Sequence, residues 1–401
     1  MSNKGFFFGS TLSKSTQPPP SVPYCGACGL YKKCETPKMK YKGKGRRRVL
    51  VIGDKPGQRD DMKGHQFSGD AGALLRQAFR KHGVNLADDC VVTNAIICYS
   101  KAKPTADQIT YCQPNLVKLV ERFKPEIIIP LGGEAVQVLL KHYWKEDVGG
   151  IDRWAGYCIP FQKLNCWVCP TYHPLNVLKE NPKRSVMELL WNRHIEKALE
   201  LEGRPWDVVP DYESQIERIH DPNKAARLLR KMIEKGGRVA WDYETNMLKP
   251  DGPDAQIVSC SVSWMGRKTI AYPWKGEAIQ ATSELLKSEL EKVASNLKFE
   301  DRWTRAKLGH GVRNWHWDTM IGAHICDNRQ GTKSIKFQSM VWLGSDSWND
   351  HIEKYLRSGG SREANQILRE IDPDDLLLYN GMDSLLEFLV AEKQMEYLNH
   401  D

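Results

Sequence analysis

VAWDYE, residues 239–244, sets an aspartate and a glutamate two positions apart inside a β-branched and aromatic run. Such a run reads as a strand, whose side chains alternate between faces, so Asp242 and Glu244 share one face while Tyr243 points from the other. Paired carboxylates of this kind suit hard cations such as Mg²⁺ or Mn²⁺. A solvated strand face would carry the same two letters, so the meaning of the pair depends on its surroundings.

Immediately before it, QIERI reads as a strand, and Asp221 as the N-cap of a helix that opens with Pro222, runs to Lys235 and stops at Gly236-Gly237. RVAWDYE, IVSCSVSW and KTIAYPW then form a meander. The remainder reads as mostly helical, including a helix that ends near Ser295. Farther upstream, RPWDVVPD (204–211) is polar and holds two prolines, which marks a linker. Residues 23–203 and 212–401 are therefore expected to be separate domains, after a flexible tail at 1–22 with three consecutive prolines.

The first domain alternates strand and helix. RVLVIGD is a buried strand, Ala71–His82 an amphipathic helix, CVVTNAII a strand, Ala106–Phe123 a helix and EIIIPLG a strand. A short strand at Asn165–Pro170 and a helix over Val186–Leu201 complete it. This order predicts α/β architecture around a largely parallel sheet. No internal repeat is visible.

Composition narrows the class. The 401 residues are 41% hydrophobic, enough for two or three cores. The longest apolar runs, such as Ile127–Leu131, are too short to span a bilayer, and Phe6–Phe8 is too brief for a signal-peptide core. A cytoplasmic, non-secreted protein is expected, without a membrane partner. Net charge is divided unevenly, +13 over residues 1–205 and −5 over 206–401, so the first half is the candidate for meeting a polyanion. Its densest element, KMKYKGKGRRR (38–48), carries seven cations and no acid. It reads either as a solvated, mobile loop or as a phosphate contact.

Eleven cysteines without an export signal argue against a disulfide framework. Cys25-Gly-Ala-Cys28 lies in a turn-forming context, with Cys34 six residues on, and Cys98 and Cys112 flank the segment after TNAII. Four thiolates from these two regions would complete a Cys₄ site for zinc or an iron-sulfur cluster, and spacing alone favours zinc. Cys166 and Cys169 sit at i and i+3 of a strand and face opposite ways. With Cys90, Cys158, Cys260 and Cys326 they read as buried small hydrophobes.

GDKPG (53–57), GHQFSGDAGALL (64–75), TNAIIC (93–98), TADQITYCQPNL (105–116) and YHP (172–174) follow the order and spacing of the family 4 iron-sulfur uracil-DNA glycosylases, which residues 25–201 resemble. The resemblance implies a three-layer glycosylase-like domain and shifts the Cys₄ reading from zinc to a [4Fe-4S] cluster held by Cys25, Cys28, Cys98 and Cys112, with Cys34 spare. It implies that Phe67 stacks on an extruded base, that Asn94 bonds its pyrimidine edge and that His173 stabilises the departing oxyanion. Asp54 would position water or steady the cationic sugar, and Leu175 would wedge into the gap left by the flipped base. The family usually has Glu at the position of Asp54 and a small residue at that of Leu175.

The second domain carries a matching series. DxE at 242–244 is followed by NLKFED (296–301), WDTM (317–320) and Tyr379-Asn380-Gly381-Met382-Asp383, with Tyr379 and Asp383 on one face of the last helix. From about Gln215 to Tyr397 this resembles the DEDD-type 3′-5′ exonucleases attached to family A DNA polymerases. It implies an RNase H-like fold with a mixed sheet and a two-metal mechanism using Mg²⁺ or Mn²⁺. Asp242 would bridge both ions, Glu244 and Asp383 would hold one and the second-motif acid the other, with Tyr379 orienting the attacking water. The family presents Asp in the second motif; here Glu300 is in register, with Asp301 beside it. The chain stops about one helix beyond the third motif, so it is not expected to extend DNA itself.

The expected function is a replication and repair protein, phage-like in layout, that joins a 3′-5′ exonuclease to a glycosylase-like base-flipping domain. Its expected partners are DNA (single strands, 3′ ends, uracil or modified bases) and a separate DNA polymerase. The alternative is a non-catalytic DNA-binding or polymerase-accessory protein built from degenerate enzyme folds.

Overall fold

Two runs of β-branched residues, VLVIG and IIIP, supply the centre of the first sheet as β1 (Val49–Gly53) and β3 (Ile127–Pro130), and every residue of both is buried. Burial on both faces is what makes the runs continuous rather than alternating. The computed structural model describes residues 21–144, 146–180, 186–348, 352–356, 365, 367 and 371–399. The expected tail at 1–22 lies outside the described residues as far as residue 20. Residues 1–158 and 164–205 form one unit, and 159–163 and 206–401 a second. A short strand, β4 (Ile159–Phe161), groups with the second.

In the first unit β2 (Cys90–Asn94), β1, β3 and β5 (Cys166–Val168) lie side by side and parallel. Val49, Val51, Val92, Ile127 and Ile129 share a core with Leu75 and Phe79 of helix Asp70–Lys81 and with Trp191 and Ile195 of helix Val186–Glu200. Leu50, Ile52 and Ile128 turn to the opposite face, where helix Gly133–Tyr143 packs on β1 and β3 with helix Ala106–Phe123 beside it. The result is three layers, helix on sheet on helix. Helix Ala106–Phe123 spans the residues expected of it because Thr105 caps it: the Thr105 Oγ1 accepts from Gln108 N at 3.2 Å while the Gln108 Oε1 accepts from Thr105 N at 3.0 Å.

The basic run differs from a mobile loop. Lys42 exchanges two backbone hydrogen bonds with Val92, and Lys44, Arg46 and Arg47 donate theirs to Ala87, Asp88 and Asp89. Gly43, at φ +102°, lies so close that a Cβ there would fall 2.1 Å from the Cys90 carbonyl oxygen. Cations at Lys40, Lys42, Arg46 and Arg47 nevertheless remain exposed.

The second unit is a six-stranded mixed sheet in the order β11 (Trp315–Asp318), β10 (Glu291–Ala294), β7 (Arg238–Thr245), β8 (Ile257–Trp264), β9 (Lys268–Pro273), β6 (Ile216–Arg218). The meander β7–β8–β9 is antiparallel, and the remaining pairs are parallel. The helix expected to end near Ser295 ends instead at Lys287, and residues 291–294 are strand β10. Parallel pairing with β7 and β11 overrides the helical composition of that stretch, and Lys292, fully buried, survives there because its ammonium donates to the carbonyls of Ser288 and Leu290.

Helices Pro222–Lys235 and Glu277–Lys287 pack together over one core of this unit. Asp221 caps the first, accepting from Asn223 N. The 27-residue helix Pro373–Asn399 packs along β6 to β10. Serines 259, 261 and 263 of β8, all buried, keep room beneath it. Gly381 allows a close approach, since a Cβ there would lie 2.4 Å from Ile216 Cγ2.

Gly381→Ala should therefore lower the melting temperature of the second unit. Overpacking of about 1–3 kcal/mol outweighs the gain of about 1 kcal/mol in helix propensity. Pairing it with Ile216→Ala should recover part of the loss in the same thermal melt.

Candidate functional sites

In the first unit the carboxyl ends of parallel strands gather the expected residues. Asp54 follows β1, Asn94 ends β2 and His173 follows β5, the place where open parallel sheets bind ligands. Gly53 makes this crowding possible: a Cβ there would meet Asn94 Oδ1 at 2.3 Å and Phe67 Cζ at 2.8 Å. Phe67 is held at a left-handed φ of 52°, with Arg76 donating to its carbonyl at 2.8 Å. Its ring lies nearly parallel to that of His173, 21° apart with centroids at 6.0 Å.

Asn94 is buried, and its Nδ2 has no hydrogen-bond partner among the described residues. A buried amide donor left open is costly in an empty site and useful in one that receives a carbonyl. His173 caps helix Pro174–Lys179, its Nδ1 accepting from Leu175 N at 3.2 Å, which places the ring proton on Nε2. Burial pushes its pKa down to about 4. Asp54 accepts from Ala135 N at 2.9 Å, at the start of helix Gly133–Tyr143, and burial raises its pKa to about 7. Leu175, beside the histidine, is exposed.

The four cysteines Cys25, Cys28, Cys98 and Cys112 line one pocket with Leu30, Ile97 and Asn115. Cys25 and Cys28 share a single helical turn, which Gln108 ties to helix Ala106–Phe123 by donating to the Cys28 carbonyl. Lys38 N donates to Cys98 Sγ at 3.3 Å, and Asn115 Nδ2 approaches Cys112 Sγ at 3.6 Å. Burial pushes the Cys98 thiol up to about 12 and the Cys112 thiol to about 11. N–H donors aimed at sulfur suit thiolates, which at these depths need a cation. Cys34 is not on the pocket wall; its thiol donates to the carbonyls of Leu30 and Tyr99. Among the cysteines expected to be buried, Cys90, Cys166, Cys169 and Cys260 are, but Cys158 and Cys326 are only partly covered.

In the second unit Asp242 and Glu244 of β7 meet Asp383 of the long helix, with one carboxylate oxygen from each lying within 4.8 Å of the others. Asn380 holds Asp242 in place. Its Nδ2 donates to Asp242 Oδ2 at 2.7 Å, while its Oδ1 accepts from Ser259 and its backbone carbonyl from Ser261. Trp348 Nε1 donates to Asp383 Oδ1 at 3.1 Å, and Tyr379, buried, lies one helical turn before Asp383 on the same helix. Burial raises the pKa of every acid in the group, Asp383 to about 7, and the mutual repulsion of Asp242, Glu244 and Asp383 raises that of the first two further. Lys336 opposes this at Glu244 and Asp383.

Pairing of β10 with β7 ends at Ala240, so the β7 edge beyond is open, and helix Leu297–Leu308 brings Glu300 to it. Glu300 is 2% exposed, feels the charge of Asp242 and has an Oε2 without a partner among the described residues, but stands outside the three-acid group. Asp301 is turned away, bound by Arg305 Nε and Val312 N. Sequence reading passed over Asn380, Trp348, Lys336 and Glu387. Glu387 lies one helical turn beyond Asp383, is 2% exposed and has an Oε2 unpartnered among the described residues; its spacing from Asp383 was the available signal.

The Uracil DNA glycosylase superfamily model matches residues 40–195. A type-4 uracil-DNA glycosylase of Saccharolobus solfataricus is 31% identical over 168 residues, 41% of this chain and 77% of the relative. A DNA polymerase of Bacillus phage SP01 is 26% identical over 392 residues; the alignment covers 88% of this chain but 40% of the polymerase. Among solved structures, Escherichia coli RNase D aligns at a TM-score of 0.37 and 12% identity, covering 46% of this chain and 45% of that one, too low a score to establish a shared fold. No helix among the described residues is long and apolar enough to cross a membrane.

His173 should remain neutral in NMR titration from pH 8 to about 5. Its folded pKa lies below the ordinary 6.5, so between 6.5 and about 4 the unfolded chain gains a proton that the folded one refuses. The contribution of this group to stability should fall as pH drops through that window, and should be flat above it.

Proposed function

We propose, for a chain that belongs to the type-4 uracil-DNA glycosylase family through its first unit, that two hydrolytic activities on DNA are joined in one polypeptide. Residues 23–203 would engage and excise a base, 212–401 would remove nucleotides from 3′ ends, and 204–211 would link them. The observation that carries the second activity is the convergence of Asp242, Glu244 and Asp383. The phage polymerase relative, aligned across 88% of this chain, supports work at a site of DNA synthesis beside a polymerase, in the cytoplasm of a bacterial or phage-infected cell.

The first unit's residues divide the excision chemistry. Phe67 offers a ring face to an extruded base, and the open Asn94 Nδ2 offers a donor to a pyrimidine carbonyl, a contact that cytosine's amino group could not accept. Neutral His173, with its proton on Nε2, donates to the base oxygen as negative charge develops there. Asp54 steadies positive charge on the sugar in its ionised form, and Leu175 fills the space vacated in the duplex. Cys25, Cys28, Cys98 and Cys112 fit a [4Fe-4S] cluster, which would cross-link three segments of this unit.

In the second unit Asp242, Glu244, Asp383 and Glu300 fit two Mg²⁺ or Mn²⁺ ions, which when bound would stabilise the attacking and leaving oxygens of phosphodiester hydrolysis. Asn380 keeps Asp242 oriented for that task, and Tyr379, one helical turn before Asp383, would orient a water. One observation favours a second reading, in which the first unit holds DNA without excising a base. Asp54 is a methylene shorter than the family's Glu and is engaged by the backbone of helix Gly133–Tyr143.

Asp242→Ala should slow degradation of a 3′-labelled single strand in Mg²⁺ by at least about a hundredfold, the scale of losing a charge-stabilising group; an unchanged rate would refute the exonuclease. Uracil-containing DNA treated with the protein and then alkali should break above the level of a His173→Ala control, and equal breakage would leave DNA holding alone. Purified protein should be brown, with absorbance around 400 nm that is lost in a Cys98→Ser, Cys112→Ser variant; a colourless protein containing zinc would reverse the cluster assignment.

A further inference from the structure

We propose that Lys40 and Lys42 form a phosphate track along the edge of β2, holding the backbone of the DNA strand whose base enters the Phe67–Asn94 site. The inference rests on reading the first unit as one that handles DNA, and adds to it a surface that lies outside all five sequence motifs.

A run of cations is ordinarily a solvated face, and the placement of this one sets it apart. β2 is the edge strand of its sheet, and the chain from 39 to 42 runs antiparallel beside it. Lys42 N donates to the Val92 carbonyl at 2.9 Å, Val92 N to the Lys42 carbonyl at 2.7 Å, and Met39 N to the Ile97 carbonyl at 2.8 Å. Lys40 falls between these pairings, beside the end of β2 that carries Asn94. Gln66 Nε2 donates to the Lys40 carbonyl at 2.7 Å, so the residue before Phe67 is fastened to the same point.

The pairing also sets direction. Residues directly opposite each other in an antiparallel pair project from one face. Val92 belongs to the core that holds Phe67, so Lys42 stands on the Phe67 side of the sheet. Tyr41 turns the other way, its hydroxyl accepting from Arg122 of helix Ala106–Phe123 at 2.6 Å. Lys40 and Lys42, two residues apart in extended chain, are about 7 Å from each other on one face, a step close to that between neighbouring phosphates of a strand.

Neighbouring cations are already engaged. Lys44 pairs with Asp88 at 2.7 Å, and the Arg47 guanidinium donates to the Leu199 carbonyl. Lys40 and Lys42 are exposed and have no ion pair among the described residues, and Arg46, exposed in the turn beyond, extends the positive field. Uncompensated like charges leading to a cleft attract a polyanion toward it.

The test is binding of a fluorescein-labelled single DNA strand to the full-length chain in EDTA, followed by anisotropy at increasing salt. The strand carries one central 2′-fluoro-deoxyuridine, whose fluorine opposes a cationic sugar and so resists excision. Lys40→Ala combined with Lys42→Ala should flatten the slope of log affinity against log salt by about 1.4, at about 0.7 per phosphate contact on a single strand. Lys118→Ala, an exposed lysine on helix Ala106–Phe123 in the opposite layer, should leave the slope where it is. Replacing the phosphates nearest the analogue with uncharged methylphosphonates should cost wild type about 1.4 more of slope than it costs the double variant. Thermal melts of the variants should match wild type, since the side chains removed are exposed.

An unchanged slope in the double variant, or an equal change in Lys118→Ala, would overturn the track; uracil-containing DNA that still breaks above the His173→Ala control would leave the excision reading standing. Equal losses by both proteins on the methylphosphonate strand would also overturn it, placing the lysines away from the base site. Tighter binding of an RNA strand of the same sequence, with the same loss in the double variant, would overturn DNA as the occupant. A flattened slope without any uracil-dependent breakage would support the track and remove the excision reading instead.

Discussion

Asn380 has no exposed surface, and its side chain joins a strand serine to the carboxylate of Asp242. That hydrogen-bonded junction fixes the long helix against the middle of the second sheet. The helix in turn determines where Tyr379, Asp383 and Glu387 stand. Gly381 permits the approach and the serines of β8 leave room for it. The acids are therefore brought together by packing, against their own repulsion, and the raised pKa values record the cost.

The first unit shows the same arrangement with different groups. The amide of Asn94, the imidazole of His173 and the thiols of Cys98 and Cys112 are all withdrawn from water before any ligand compensates them. Each is positioned by backbone: a strand end, a helix cap, a loop N–H. Pre-organisation of this kind spends folding free energy on alignment, and a bound ligand returns it.

Much of this was legible as letters. Period-two alternation placed Asp242 and Glu244 on one face, Asp221-Pro222 and Thr105-x-x-Gln108 marked helix starts, and unbroken apolar runs marked a sheet covered on both sides. Strand β10 was hidden because four residues containing a lysine and a glutamate follow a helical stretch, and pairing partners from distant segments decided their state. Glu387 was hidden for another reason. A glutamate in an amphipathic helix ordinarily faces water, and the helix is buried nearly all round only because it lies along five strands. The choice between Glu300 and Asp301 also needed three dimensions, since adjacent helical residues point about 100° apart.

The backbone pairing of the basic run bears on how the first unit would meet a polyanion. A disordered cationic tail surrenders conformational freedom when it settles on phosphates, and that loss subtracts from its affinity. Here Lys42 is already bridged to Val92, and the arginines that follow are tied to the turn before β2. The chain entropy of this segment was given up during folding. Contact with a phosphate backbone would leave only side-chain rotamers to be ordered, and the spacing of the exposed cations would be a property of the folded protein rather than of the complex.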